Sequence, residues 1–216
     1  CYSEECMTKY SRYQDYVIKD GVIIGEFEEM YQDFNDPWEQ TTREKSALEK
    51  KIALEIIREK GFKRVVEFGC GLGDYTAQLN HAAGSALGID ISETAIEKAN
   101  ARHPDTEFVV GDILDFELLR NYQSDCIVFA EITWYVLEKL DIFKEHISSE
   151  LGGQGVGFIH LLTTYPPDEQ KYGKEYFSDL NGIMKYWDII EFEAWGEFSK
   201  KEYNGGKRTM ASGMIR

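Results

Sequence analysis

The chain has 216 residues, of which 43% are hydrophobic and 13% aromatic; that is enough to bury one sizeable core without disulfides or metal, and too apolar for a disordered segment. Its 24 Lys and Arg against 39 Asp and Glu give a net charge of −15, a balance that repels phosphate backbones and anionic lipid. The basic residues are scattered in pairs diluted by acids, no apolar run approaches the ~18 residues of a spanning helix, and no leader pattern opens the chain. The expectation is a cytoplasmic protein that binds neither nucleic acid nor membrane. Cys1, Cys6, Cys70 and Cys126 have no CxxC spacing and no His cluster beside them, so no metal site is expected. A Cys1–Cys6 bridge has no support beyond proximity in sequence.

Residues 1–35 show no helical period. Tyr16-Val17-Ile18 and Val22-Ile23-Ile24 flank Asp20-Gly21 and read as a small hairpin, so this segment is an N-terminal extension that decorates the surface or acts as a lid. The main domain is then 36–216. Asp36 as N-cap, Pro37 at the first helical position and Glu39 as capping-box acid open a helix whose apolar face includes Ala47, Leu48, Ile52, Leu54, Ile56 and Ile57, ending at Gly61. Val65–Phe68 is a strand. After a glycine loop, Tyr75–Ala83 reads as helix, Ser85–Asp90 as strand and Ser92–Ala101 as a helix capped by Ser92. Phe108–Val110 and Asp125–Ala130 are strands, Leu137–Leu151 a helix stopped by Gly152-Gly153, and Val156–Leu162 a strand. A long connection over 163–187 holds a short helix around Tyr172–Leu180. Strands Ile189–Phe198 and Lys207–Ile215, joined by Asn204-Gly205-Gly206, close the chain as a hairpin. The alternation predicts an α/β fold with a parallel sheet covered by helices on both faces.

Three features carry chemistry. Glu67-Phe68-Gly69-Cys70-Gly71-Leu72-Gly73 lies between a strand end and a helix start, where glycines let the backbone turn sharply and approach a ligand. Asp74 stands where a dinucleotide fingerprint needs its third glycine, which argues against a nicotinamide dehydrogenase. An acid at the strand end suits a cationic group better than a pyrophosphate. Asp90 ends the second core strand, where its two oxygens can accept both hydroxyls of a ribose. Gly111-Asp112-Ile113 follows the third, with Asp112 able to accept from an adenine amino group while Ile113 packs on the ring. Acids at successive strand ends converge on one crevice at the carboxyl edge of the sheet.

Taken together, Val65–Gly73, Gly88-Ile89-Asp90 and Gly111-Asp112 resemble the class I S-adenosylmethionine-dependent methyltransferases. The resemblance covers residues ~60–215 and implies a Rossmann-like three-layer sandwich, with a seven-stranded, mostly parallel sheet ending in an antiparallel hairpin, and S-adenosylmethionine as cofactor. It assigns Gly69, Cys70, Gly71 and Gly73 to the methionine and ribose side and Glu67 to the methionine ammonium. Asp90 with Ile91 falls at the ribose, Asp112 with Ile113 at the adenine, and Ala130 at the mouth of the transfer channel. The loop after the fourth core strand, Ala130-Glu131-Ile132-Thr133-Trp134-Tyr135, would line that channel. It is not the Asn/Asp-Pro-Pro-aromatic tetrad of amino-methylating nucleic-acid enzymes, and the Asp/Asn metal cluster of catechol-type enzymes is missing.

Asp36-Pro37-Trp38 and Val128–Leu137 are similar to the nodulation N-methyltransferases, which act on the terminal glucosamine of a chitooligosaccharide. The implied acceptor is a small polar molecule such as an amino sugar, methylated on nitrogen or oxygen. An alcohol acceptor wants a base, for which Glu131 and His160 are the candidates. Tyr135, with Trp134, Tyr165 and Tyr172, would wall the acceptor pocket, and Trp38 and Arg43 would cover the cofactor. A non-catalytic cofactor-binding module is the alternative from another class. Monomer and homodimer are not distinguished.

Overall fold

The computed structural model of the chain describes residues 8–43, 47–166, 168–170, 173–199 and 206–216, with backbone alone at 42–43. Ahead of the core stand α1 (Gln14–Val17), β1 (Ile18–Lys19), β2 (Val22–Ile23), α2 (Phe27–Asp33) and α3 (Gln40–Arg43). The core follows as α4 (Leu48–Lys60), β3 (Val65–Phe68), α5 (Asp74–Ala83), β4 (Ala86–Asp90), α6 (Glu93–Arg102), β5 (Glu107–Val110), α7 (Phe116–Tyr122) and β6 (Cys126–Ala130). Two 3-10 turns, Thr133–Tyr135 and Leu137–Lys139, lead into α8 (Leu140–Leu151), β7 (Gly157–Thr164), α9 (Leu180–Tyr186), β8 (Ile190–Phe198) and β9 (Lys207–Ile215).

Seven strands form one sheet in the order β5-β4-β3-β6-β7-β9-β8. The first five are mutually parallel and β9 runs antiparallel to both β7 and β8. This is the expected three-layer sandwich with a reversed final hairpin. The central strands β3, β4 and β6 are buried along their whole length, as parallel strands covered on both faces must be. Successive residues serve opposite layers. Val66, Phe68, Ile127 and Phe129 pack with Phe143, Ile147, Ile183 and Trp187 on the α8–α9 side. Val65, Cys126 and Val128 pack with Leu54, Ile57 and Leu79 on the α4–α5 side. Chain direction across the sheet reverses between β3 and β6, which opens a crevice at their carboxyl ends. Among the described residues no helix is long and apolar enough to cross a membrane.

The structure corrects several local readings. The hairpin is present, pairing Ile18 with Ile23 and Lys19 with Val22, and it turns at Asp20-Gly21 with φ of 51° and 80°, the left-handed pair that a tight hairpin requires. Tyr16 and Val17, however, belong to the helical turn α1 and are buried, and α2 occupies a stretch read as non-helical. The expected single helix from Asp36 to Gly61 is split into α3 and α4. Asp36 still caps, accepting the Gln40 and Thr41 amide N–H at 2.8 and 3.1 Å, but Glu39 has a φ of 53°, so Pro37 sits in the preceding turn. There Trp38 packs edge-on against Tyr13, with ring centres 4.9 Å apart, a tertiary contact that outweighs the local capping pattern. α7, at seven residues, was too short to show a period. In the long connection the helix is α9, capped by Asp179 through the Gly182 N–H at 2.8 Å. Cys1, Cys6, Tyr172, the Asn204-Gly205 turn and the Arg43 side chain lie outside the described residues.

The N-terminal elements are latched to the core by polar contacts. The Glu28 carboxylate accepts from Ser92 Oγ at 2.7 Å, Thr94 Oγ1 at 2.6 Å and the Thr94 N–H at 3.2 Å, at the amino end of α6. Lys98 Nζ donates to the carbonyls of Tyr31 and Phe34. Partial burial acts to raise the Glu28 carboxyl, but the hydrogen bonds from Thr94, Ser92 and Gln32 outweigh it and hold it down from 4.5 to about 2. A lowered folded value means this stabilisation is complete above about 4.5 and is lost as pH falls towards 2. Glu28→Ala should therefore cost about 1–2 kcal/mol at neutral pH, on the scale of a lost helix cap. Urea denaturation should show wild type and variant converging below pH 4.

Candidate active site

A cavity of about 440 Å³ lies at the carboxyl ends of β3, β4, β5 and β6, within the size range of small-molecule sites. The aromatic rings of Tyr13, Phe27 and Trp38 from the N-terminal elements reach its wall.

Glu67, one residue before the end of β3, is buried and faces the cavity, with Thr76 Oγ1 donating to its Oε2 at 2.5 Å. The chain then turns at Gly69, whose φ is +70°; a Cβ there would stand 2.6 Å from Ile132 Cδ1, so only glycine lets the two loops approach. Gly71 donates its N–H to Asp90 Oδ2 at 2.9 Å and Ser92 donates to Asp90 Oδ1 at 3.0 Å. Asp90 ends β4 and lines the cavity. Burial raises its pKa, and the amide N–H donors of Ser92 and Gly71 offset that only in part. On the neighbouring loop, Asp112 Oδ1 accepts the Leu114 N–H at 3.0 Å and Oδ2 is paired with Lys139.

Opposite these acids lies the loop after β6. Glu131 adopts a φ of 64°, uncommon for a residue with a side chain and costly unless its surroundings over-determine it. They do: its carboxylate accepts the Thr163 N–H at 2.9 Å, Thr163 Oγ1 at 3.0 Å and Arg208 Nη1 at 3.0 Å. Trp134 Nε1 donates to the Thr163 carbonyl at 2.8 Å. Tyr135 meets the rings of Trp38 and Phe27 at 5.6 and 5.7 Å. Arg208 Nη1 also reaches the buried Glu49 Oε1 at 3.3 Å.

Of the residues singled out from sequence, Glu67, Gly69, Asp90, Ile91, Asp112, Ile113, Ala130, Glu131 and Tyr135 meet on this one cavity, as do Trp38, Trp134 and Tyr165. Others do not line it. Cys70 points into a small cluster with Ile96, Ala99 and Phe108, where burial pushes its thiol up. Gly71 acts through its N–H on Asp90. Gly73 is the left-handed N-cap of α5, packed so closely on Phe108 that a Cβ would stand 2.5 Å away.

His160 is the clearest correction. It is fully buried between Phe158 and Trp187, away from the cavity wall, and burial lowers it to about 3. It can neither reach an acceptor nor hold a proton near neutral pH. The sequence reading missed Gln40, which grips the glycine loop by accepting the Leu72 N–H at 2.9 Å and donating to the Cys70 carbonyl at 3.3 Å. It also missed Lys139, Thr163 and Arg208. None of these carried a local signal, because each acts on a partner far away in the chain.

A family model described as a methyltransferase domain matches residues 65–149, the stretch that supplies β3 to β6 and their loops. Over these residues the chain is similar to the class I S-adenosylmethionine-dependent methyltransferases. Their cofactor is S-adenosylmethionine. Within this family, a trans-aconitate 2-methyltransferase of Escherichia coli (strain 55989 / EAEC) is 32% identical over 157 residues, covering 64% of this chain and 60% of that protein. One from Shigella flexneri serotype 5b (strain 8401) is 29% identical over 164 residues, covering 67% and 62%. The chain thus spans about 60% of the length of the curated relatives it matches. In fold, the chain is similar to N-methyltransferase NodS from Bradyrhizobium japonicum WM9, solved with S-adenosyl-L-homocysteine. The TM-score is 0.63 at 16% identity, over 88% of this chain and 97% of that one. The PH0226 protein from Pyrococcus horikoshii OT3 has the same TM-score at 19% identity, over 87% and 99%.

Proposed function

We propose that this chain transfers the methyl group of S-adenosylmethionine to a small polar acceptor that is nucleophilic without first losing a proton. The observation that carries the reading is the row of Glu67, Asp90 and Asp112 at the ends of three adjacent parallel strands, all on one cavity wall. This set of acceptors suits a molecule with an ammonium, a diol and an amino-purine. Glu67 would hold the methionine ammonium. Asp90 would accept the ribose hydroxyls on lone pairs left after Gly71 and Ser92, and Asp112 with Ile113 would take the adenine, with Ile91 and Ala130 closing the wall. When bound, the cofactor supplies an electrophilic methyl on sulfur, and the residues around it supply alignment, which is chiefly a proximity effect. Residues 8–41 would roof the site as a lid.

The acceptor class follows from what the wall can do with protons. Glu131 already accepts from three donors, Asp90 from two backbone N–H groups, Asp112 from Lys139 and Glu67 from Thr76. Among the described residues these carboxylates are engaged rather than poised as bases, which disfavours an alcohol. A neutral amine, such as that of an amino sugar, fits the Glu131 charge and the rings of Trp38 and Tyr135. A carboxylate is the second reading, favoured by Arg208 and Lys50 on the wall and by relatives named for trans-aconitate.

Calorimetry should give saturable S-adenosylmethionine binding, and its absence up to millimolar concentration would end the reading. A panel of amino sugars and polycarboxylates, read by S-adenosylhomocysteine release, then finds the acceptor. Proton release separates the classes: an amine that is an ammonium in bulk solution and reacts as the neutral form releases one proton per methyl transferred, a carboxylate none.

A further inference from the structure

We infer that His160 is a positioning residue for methyl transfer: through Thr133 it locks the turn that carries Trp134 and Tyr135 into the cavity. The inference rests on the proposed methyl transfer for its meaning and on geometry for its content. Thr133 Oγ1 and His160 Nε2 are hydrogen bonded at 2.8 Å, and both residues are fully buried. Thr133 opens the 3-10 turn Thr133–Tyr135, whose next two residues line the cavity. The turn follows directly on Glu131, with its left-handed backbone. Besides accepting the Glu131 N–H on the Leu161 carbonyl at 2.8 Å, β7 holds this loop through three contacts that involve side chains: Thr163 on the Glu131 carboxylate, the Thr163 carbonyl on the Trp134 indole, and His160 on Thr133.

The third contact is unexpected on packing grounds. Around His160 the layer is aromatic, built from Phe129, Phe143, Phe158 and Trp187, and His160 Nδ1 has no hydrogen-bond partner there. An apolar pair of the same shape would fill this space with no unpaired nitrogen and at little cost in stability. What a polar pair adds is direction: only one placement of the Thr133 hydroxyl satisfies His160, so the turn has one arrangement rather than several. Methyl transfer is sensitive to such placement, because a shift of about 1 Å in a lining group costs about a hundredfold in rate.

The test uses shape-preserving and hydrogen-bond-preserving variants on the full chain. Thr133→Val and His160→Leu should each lower kcat at least tenfold while the S-adenosylmethionine Kd stays within twofold. Thr133→Ser and His160→Gln should keep kcat within threefold. The double variant should be no worse than the poorer single one, since the two act as a unit. Amide hydrogen exchange over residues 132–136 should rise at least tenfold in Thr133→Val, with or without cofactor. Thr133→Val leaves the aromatic layer intact and so stands in if His160→Leu fails to fold. Unchanged kcat with unchanged exchange overturns the inference, as does a Kd that weakens in step with kcat. If wild type makes no product, the methyl-transfer reading fails, and exchange alone then decides on the positioning contact.

Discussion

Asp90→Ala should weaken S-adenosylmethionine binding by a factor of about 10² to 10⁴. The carboxylate acts twice. Its oxygens accept the Gly71 and Ser92 N–H groups at 2.9 and 3.0 Å, fixing the glycine loop against the start of α6, and they present their remaining lone pairs to the cavity. Two charge-assisted hydrogen bonds to a ribose at about 1.5–3 kcal/mol each amount to about 3–6 kcal/mol, and 1.4 kcal/mol is a factor of ten. Asp90→Asn separates the two duties. It keeps one oxygen but turns an amide donor towards either the Gly71 or the Ser92 N–H, so loop geometry suffers along with binding. Calorimetry on both variants, with thermal denaturation to register the loop, checks this. An unchanged Kd in Asp90→Ala would leave Asp90 as a turn residue and remove a main support of the proposed function.

The second large effect is expected at Arg208, which lines the same cavity. Its Nη1 bridges Glu131 at 3.0 Å and Glu49 at 3.3 Å, and Glu49 is fully buried with its other oxygen unpaired. Removing one partner of a buried ion pair leaves a charge that water cannot reach, at a cost of about 3–5 kcal/mol. Arg208→Met should therefore lower stability in urea denaturation by that amount, whereas the double variant Arg208→Met with Glu49→Gln should recover most of it. Cofactor affinity should change little, because Thr163 still holds Glu131 through two hydrogen bonds. If Arg208→Met is as stable as wild type, the Glu49 carboxylate is served by something other than this guanidinium.

Much of the architecture was legible because it is written in short-range patterns. Val65–Phe68 matched to the residue, as did Lys207–Ile215, since the first is a short β-rich run closed by a glycine loop and the second follows a Gly-Gly turn signal. Ser92 was readable as a cap and it caps, accepting the Ala95 N–H at 3.0 Å. The acids Glu67, Asp90 and Asp112 could be placed because a parallel βα unit sends each strand end to the same edge. The reading failed where contacts distant in sequence decide. Asp36-Pro37-Trp38 has the signature of a helix start, but Trp38 packs on Tyr13 and Tyr135 and the helix begins only at Gln40. His160, the fourth of the eight residues of β7, was a candidate base on sequence until the aromatic layer around it came into view.

The sequence by itself determined the alternation of strands and helices and the acids at the strand ends, because strand period and glycine turns are local properties, while the strand order is a tertiary one. Only the tertiary structure decided which of these groups is engaged: that Glu131 is held by Thr163 and Arg208, that Asp112 is paired with Lys139, and that His160 is sealed behind the turn it supports. Hydrogen bonding and desolvation set those states, and both depend on neighbours dozens of residues away.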